Sequence, residues 1–355
     1  MKRVRLSLAA CFALAACTDN PTAAVDPGAT CQARSYRAAL APAPPRYSRM
    51  DSPRTLIPLP LDPVALTNEA VVLGTRGSET VIHSKQGGTQ PVSGVESRIF
   101  WLGRYGLRGG DINSDGYVAG MSGDRVVRRG PAGTVVELGT PGAQPGSESA
   151  LAMNALGWVV GTSGDRSYFW TPCSGTMTLG PKSSVAMDVN LAGDIAGFYD
   201  VASEGQTPSA RAIVWKAWSH ERVELGTLRP EHTWSWAEAI NDRGWVVGWS
   251  GHPAGRNAAQ MWGFLWTPQD GMIDLGSFGG QGRTEAADIN THGEVVGTSD
   301  LHAFVWRKET GMERLPEMGG NISRAIAIND WGDIIGTVDG KPVVWTWPAN
   351  EHRWR

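Results

Sequence analysis

The stretch Ala239 to Ser250, reading AINDRGWVVGWS, limits what this chain can fold into more than any other. Its skeleton is an apolar residue, Asn, two free positions, Gly, then an apolar run ending in Gly. Asn241 to Gly244 between apolar flanks suits a type I turn followed by a left-handed residue, which closes a three-residue hairpin with a bulge. Gly244 takes the left-handed position at no steric cost. Asn241 folds its amide onto the turn backbone, and Gly248 lets the chain pass close to a neighbouring backbone.

The skeleton recurs at Ile112-Asn113, Met153-Asn154, Val189-Asn190, Ile289-Asn290 and Ile328-Asn329. A degenerate first copy runs from Leu66 to Gly74, with Thr67 for Asn and Ala70 for the turn Gly, and predicts the most distorted hairpin. The Asn-to-Asn steps from 113 to 329 are 41, 36, 51, 49 and 39 residues. That spread fits blades with variable loops and not a solenoid of fixed rung.

After each hairpin comes an apolar strand, ending in Trp170, Trp215, Trp266, Trp306 and Trp345 in the later copies. His83 and Arg128 stand there in the first two. A strand ending in Leu-Gly or Leu-Pro follows, at Leu102, Leu138, Leu179, Leu225, Leu275 and Leu315. Four short strands per repeat make a propeller blade. The expected fold is all-β: a seven-bladed β-propeller of four-stranded blades over 53–355. Arg54 to Pro60 reads as an isolated strand that completes the last blade, because an unmatched sheet edge is a liability. His352 to Arg355 competes for that place.

The chain opens with Lys2, Arg3 and Arg5 and an apolar run from Leu6 to Ala16, too short to span a bilayer. Leu14-Ala15-Ala16-Cys17 resembles the bacterial lipoprotein box, which implies cleavage after 16 and lipid on Cys17; an ordinary secretory signal is the alternative. Thr18 after the cysteine implies the outer membrane, facing periplasm or cell surface. Residues 17–52, rich in Ala and Pro, read as a tether. Loss of the signal takes the formal charge from −3 to −6 and leaves no basic stripe, which argues against nucleic acid. Cys31 and Cys173 are a candidate disulfide pair.

His302-Ala303-Phe304-Val305-Trp306, with Gly311-Met312 and Ile289-Asn290, resembles the HAF repeat family of bacterial extracellular repeat proteins. The resemblance runs from 54 to 347, although the literal His-Ala-Phe occurs once. It implies a secreted propeller-like array and transfers no catalytic residue.

No sequence signature of catalysis or cofactor binding stands out, and none is expected. Asp111 to Gly116 opens like a calcium loop, but Ser122 stands where the bidentate Glu belongs, so a structural turn is expected and no metal. The histidines lack paired metal spacing, and nucleophile elbow and phosphate loop are both missing. The compositional anomaly is sixteen tryptophans. The five in the third-strand slot are expected between blades as wedges. Trp234, Trp236, Trp249, His252, Arg256 and Trp262 flank long connections of the fifth repeat and are expected at one rim, as a surface for an envelope glycan or a protein partner. The expected protein is a monomeric, lipid-anchored binding or scaffolding module. A polysaccharide-active enzyme on the same scaffold and a purely structural array are the alternatives.

Overall fold

The computed structural model describes residues 53–96, 98–102, 105–139, 147–201, 209–216, 218–219, 221–252, 260–280 and 282–354. Regular backbone among them is antiparallel strand, apart from one 3-10 helix at Pro348–Arg353. Cys17, Cys31 and Arg256 lie outside the described residues, and with them the lipidation and disulfide expectations.

The strands form four-stranded antiparallel units spanning 62–91, 111–137, 148–179, 184–226, 234–274, 284–314 and 323–346, here numbered one to seven. Units four and five share one sheet through a single parallel bridge, Ala210 to Trp234. The fourth strand of unit seven is N-terminal: Thr55–Pro58 pairs with Lys341–Thr346, placing Leu56 opposite Trp345 and Ile57 opposite Val344. His352 and Arg353, by contrast, end the 3-10 helix.

First strands of consecutive units touch one another, and that of unit seven touches that of unit one. Apolar clusters fill each junction. Val72 and Val81 of unit one, for example, pack with Ile335 and Val344 of unit seven and with Trp354. The third-strand tryptophans are the wedges. Trp170, Trp215, Trp306 and Trp345 are buried and each belongs to a cluster between units. Trp345 also donates its indole N–H to Pro316 of the preceding unit at 2.7 Å.

The asparagine hairpins carry the repeat. In unit five, Asn241 N–H donates to Trp245 O and Gly244 N–H to Asn241 O, with Gly244 at φ 73°. Asn241 Oδ1 accepts the amides of Arg243 and Trp245 at 3.0 and 3.1 Å. A Cβ on Gly248 would lie 1.9 Å from Trp236 O, because a bulge between Ala237 and Ala239 drives the two strands together.

Three expectations need correction. The first hairpin is not broken: Thr67 Oγ1 replaces the Asn oxygen, accepting Glu69 and Val71 amides at 3.2 and 3.3 Å. Only Ala70, at φ 60°, retains a cost, about 1 kcal/mol. Leu102 does not end the fourth strand of unit one; Gly88–Pro91 does, since the chain turns straight back after Ser84. Arg98–Leu102 instead pairs with Tyr105–Gly109 in a separate hairpin. The tryptophan slot of unit two holds Arg129, opposite Val118, not Arg128.

Asn190, 4% exposed, accepts two turn amides and donates to Asn241 O of the next unit. Asn190→Ala is expected to cost about 2–3 kcal/mol by urea unfolding, with Thr67→Ala nearer 1 kcal/mol. Equal losses would mean that the bond between units adds nothing.

Candidate functional site

Each first strand except the short one of unit two carries a one-residue bulge just before its hairpin. The bulged residue is Val64, Leu151, Met187, Ala287 or Ile326, and in unit five Glu238. All but Leu151 are half-buried, as side chains beside the space enclosed by the inner strands would be. Burial, then Glu285, raises the Glu238 carboxyl to about 8, against the pull of the Trp249 indole and Arg324. Glu285 and Arg324 form an exposed pair at 3.6 Å toward the other end of these strands. Sequence reading missed all three, although an acid in an otherwise apolar bulge position was a legible signal.

One residue further on, Asp alternates with Ala: Asp111, Asp188 and Asp288 in units two, four and six, and Ala65, Ala152, Ala239 and Ala327 in the others. Each Asp is a clasp. Asp188 Oδ1 accepts its neighbour Val189 N–H at 2.7 Å, and Oδ2 accepts Ile240 N–H of unit five at 2.8 Å. Asp111 reaches Met153 and Asp288 reaches Ile328, both at 2.8 Å. Burial dominates their titration and raises Asp111 to about 7, Asp188 to about 6 and Asp288 to about 7. Mutual repulsion adds to it, since Asp111 and Asp288 both face the charge of Asp188. The calcium-like stretch at Asp111 is thus a hairpin and clasp, and no group of three or more metal-binding side chains occurs among the described residues.

The aromatic residues of unit five divide in two. Trp236 and Trp249 are core: they stack with centroids 5.6 Å apart, and Phe198 lies 3.6 Å from Trp236. Trp234 is half-buried and packs against that cluster. Trp262 and His252 stay half-buried around His232, with ring separations of 5.0 Å from Trp262 to His232 and 5.7 Å from His232 to His252. Arg229 caps the other arm, 4.6 Å from the Trp262 ring and 3.2 Å from Asp274. Gly282 gives Trp262 its room, since a Cβ there would lie 2.3 Å from the indole.

Ser250 fixes His232. Its hydroxyl donates to Trp234 O at 3.1 Å and accepts Leu228 N–H at 3.0 Å, so His232 Nδ1, at 2.9 Å, is the donor to it. Burial and then Arg229 lower the His232 pKa, keeping the ring neutral. His232 is itself buried, so the groups of this row partly open to solvent are Trp262, His252 and Arg229. His232 gave no sequence signal, because its role depends on the Ser250 contact.

No family model matches the sequence, and no curated protein matches it. Solved structures do. The chain is similar to virginiamycin B lyase from Staphylococcus aureus, with TM-score 0.57 and 13% identity over 82% of this chain and 98% of that one. It is similar to the WD40 β-propeller domain of Doa1, with TM-score 0.50 and 13% identity over 83% and 97%. A third likeness is to the extracellular domain of a one component system from B. thetaiotaomicron, with TM-score 0.50 and 11% identity over 83% of this chain and 40% of that one.

The clasps make stability pH-dependent. Their carboxyls hold protons to about pH 6–7 when folded but only to about pH 4 when unfolded, so the folded state binds more protons between those limits. Stability therefore falls as pH rises across that window. Glu294 works the other way below it: burial raises its pKa, but Arg54 and Arg307 outweigh burial and hold it low. The melting temperature is expected to peak near about pH 5 and decline toward about pH 8. Replacing Asp111, Asp188 and Asp288 together by Asn should flatten the decline. An unchanged slope would place its origin elsewhere. At these levels of identity the likeness speaks for the fold alone, and the chain is a β-propeller.

Proposed function

We propose that this chain is a closed seven-bladed propeller, tethered to the bacterial outer membrane, that binds an envelope glycan or protein partner through the connection face of its fifth blade. The row Arg229–Trp262–His232–His252 carries the reading of the site. Closure is supported by the strand Thr55–Pro58 in unit seven and by the cluster joining units seven and one. The 3-10 helix adds to it: Arg353 meets Asp333 at 3.3 Å and donates to Asn68 O, while Lys85 donates to His352 O at 2.7 Å.

The polarity of the strands supports the orientation. Residue 54 lies on the hairpin face, where Arg54 donates to Gly332 O and stacks on Trp347. Trp234 begins the strand that ends at Ile240, so the Trp262 group lies at the opposite end, roughly 20 Å away. A lipid on Cys17 would thus connect to the domain on its hairpin face, with the aromatic group on the opposite one. The lipoprotein box, the HAF-like repeat and a likeness to an extracellular domain all accord with an envelope location. Among the described residues no helix is long and apolar enough to cross a membrane. The molecule acts as a monomer in this reading.

A polysaccharide-active enzyme is the second reading, favoured by Glu238, a carboxyl protonated at neutral pH beside Glu285. Glu238→Gln would abolish turnover in that case and leave capture intact.

Capture of envelope fragments from the native cell is the test. Trp262→Ala with His252→Ala should lower capture at least about tenfold with an unchanged melting temperature. Capture at the native level removes this face from consideration. Separately, Cys17→Ser should shift the protein from the membrane to the soluble fraction; retention would identify another anchor.

A further inference from the structure

Among the described residues six large apolar side chains stand exposed, and four of them fall together: Phe278, Leu301, Met318 and Ile322. Phe278 lies on the connection from unit five to unit six, and Met318 and Ile322 on the connection from six to seven. Leu301 lies in the turn after the second strand of unit six. All three segments are at the end of the strands opposite the asparagine hairpins. Backbone bonds set them side by side. Asp300 N–H donates to Arg283 O and Ser323 N–H to Leu301 O, each at 2.9 Å, so the turn sits between the two connections. Phe278 N–H donates to Ser299 Oγ at 3.1 Å, and Glu317 Oε1 lies 2.9 Å from His302 Nδ1.

The turn of unit six goes against local preference to show its leucine. Units six and seven both close this turn with two left-handed residues, Asp300-Leu301 at φ 47° and 73° and Asp339-Gly340 at φ 48° and 73°. Glycine takes the second position freely, whereas leucine strains it. Units one, two and three also place a left-handed glycine in the turn, at Gly77, Gly123 and Gly164. Leu301 is 59% exposed, so burial within the chain does not offset its strain. Met318 repeats the pattern, at φ 51° and 81% exposed. Strained backbone under a cluster of exposed apolar side chains points to something that covers them.

We propose that this patch docks a protein segment presenting apolar side chains beside an Asp or Glu. Leucine, isoleucine and methionine offer a sugar neither a flat ring face nor a hydrogen bond. Burying them against other apolar side chains is what stabilises a complex. Charge sets the partner's sign. Arg283 and Lys341 flank the patch, both exposed and neither with an ion-pair partner among the described residues. The nearby acids are engaged within the loops. Asp300 Oδ2 accepts Gly279 N–H at 2.6 Å, and Asp339 Oδ1 accepts Asn321 and Ile322 N–H at 3.0 Å. Those bonds also hold the loops in place before a partner arrives, which limits the cost of ordering them. A lipid surface fits less well, because the two acids cancel the two cations and residue 54 enters at the other end of the strands. The surface belongs to units six and seven and does not rest on the fifth-blade reading.

The test uses the full chain carrying Cys17→Ser and random dodecapeptides displayed on phage. Selected peptides should combine Leu, Ile, Met or Phe with Asp or Glu, and their affinity, read by fluorescence polarisation, should fall as salt rises. Leu301→Gly should weaken binding at least about tenfold while the melting temperature holds or rises, because glycine relieves the turn. Replacing Arg283 and Lys341 together by Ser should weaken it too and remove most of the salt dependence. Val135→Ser, at an exposed apolar position elsewhere, should leave it unaltered. Selected peptides that are basic or lack apolar residues, no selection at all, or native binding by Leu301→Gly overturns the proposal. So does binding to phosphatidylglycerol vesicles that Leu301→Gly abolishes, which would assign the patch to lipid. Self-association abolished by the same variant would assign it to a second copy instead. None of these outcomes bears on the Trp262 row, which its own variants test.

Discussion

One amide group, used at both ends, holds the repeats in their mutual positions. The hairpin asparagine turns its oxygen inward to two backbone amides and its nitrogen outward to the next unit. Asn113 reaches Ala155 O, Asn154 reaches Asn190 O, Asn190 reaches Asn241 O, Asn241 reaches Asn290 O, and Asn290 reaches Asn329 O. Asn329 then reaches Thr67 O of the first unit. Each of these side chains is buried, so every bond broken would strand a polar group away from water. Threonine at 67 preserves the inward half and has no amide nitrogen to send outward. The junction of units one and two falls back on apolar packing around Val95 and Val118 and on the bridge from Glu96 to Met121.

Repulsion adds to the burial cost of ionising the aspartate clasps. Three carboxylates beside one narrow space raise one another's cost of ionisation, and Ala between them keeps any two from being adjacent. In the closed ring of seven proposed above, strict alternation cannot be carried around an odd number of units. Two Ala positions, Ala327 and Ala65, must therefore meet, and they meet where unit seven faces unit one. That junction is reinforced by other means: Asn68 and Asp330 exchange bonds at 2.9 and 3.0 Å, and the 3-10 helix reaches across it through Arg353, which meets Asp333 and donates to Asn68 O. Apolar packing serves every junction, and ionic and amide contacts add to it where the two Ala positions meet.

The hairpins and the wedge tryptophans were legible because they obey local rules: a turn that needs Gly or Asn, and a large ring at a fixed distance after it. The strand of unit one at Gly88–Pro91 was not, because GTQP carries no apolar alternation and RIFWL does. Register was legible only to within a residue, which is how Arg128 came to stand for Arg129. The aromatic rim was partly legible. Trp234, Trp236, Trp249 and Trp262 share a sequence neighbourhood, but strand alternation and the bulge at Glu238 decide which rings turn inward. Burial of Trp236 and Trp249 thus depends on a backbone irregularity that composition does not reveal. His232 depends on a serine eighteen residues away.

The two faces of the molecule divide their labour along the chain's own grammar. The hairpin face is where the repeat is strict, since each asparagine must find the next carbonyl and a changed loop length there would break the bond. The opposite face has no such bond to keep, so its connections are free to lengthen. The two largest Asn-to-Asn steps, 51 and 49 residues, fall on either side of Asn241. Variation is therefore tolerated at the end of the strands that is least constrained. The Arg229, His232 and Trp262 row sits there, on connections whose strands are held by a core of Phe198, Trp236 and Trp249. A rigid aromatic footing beneath variable loops is the physical condition for a surface to change its partner without changing its fold.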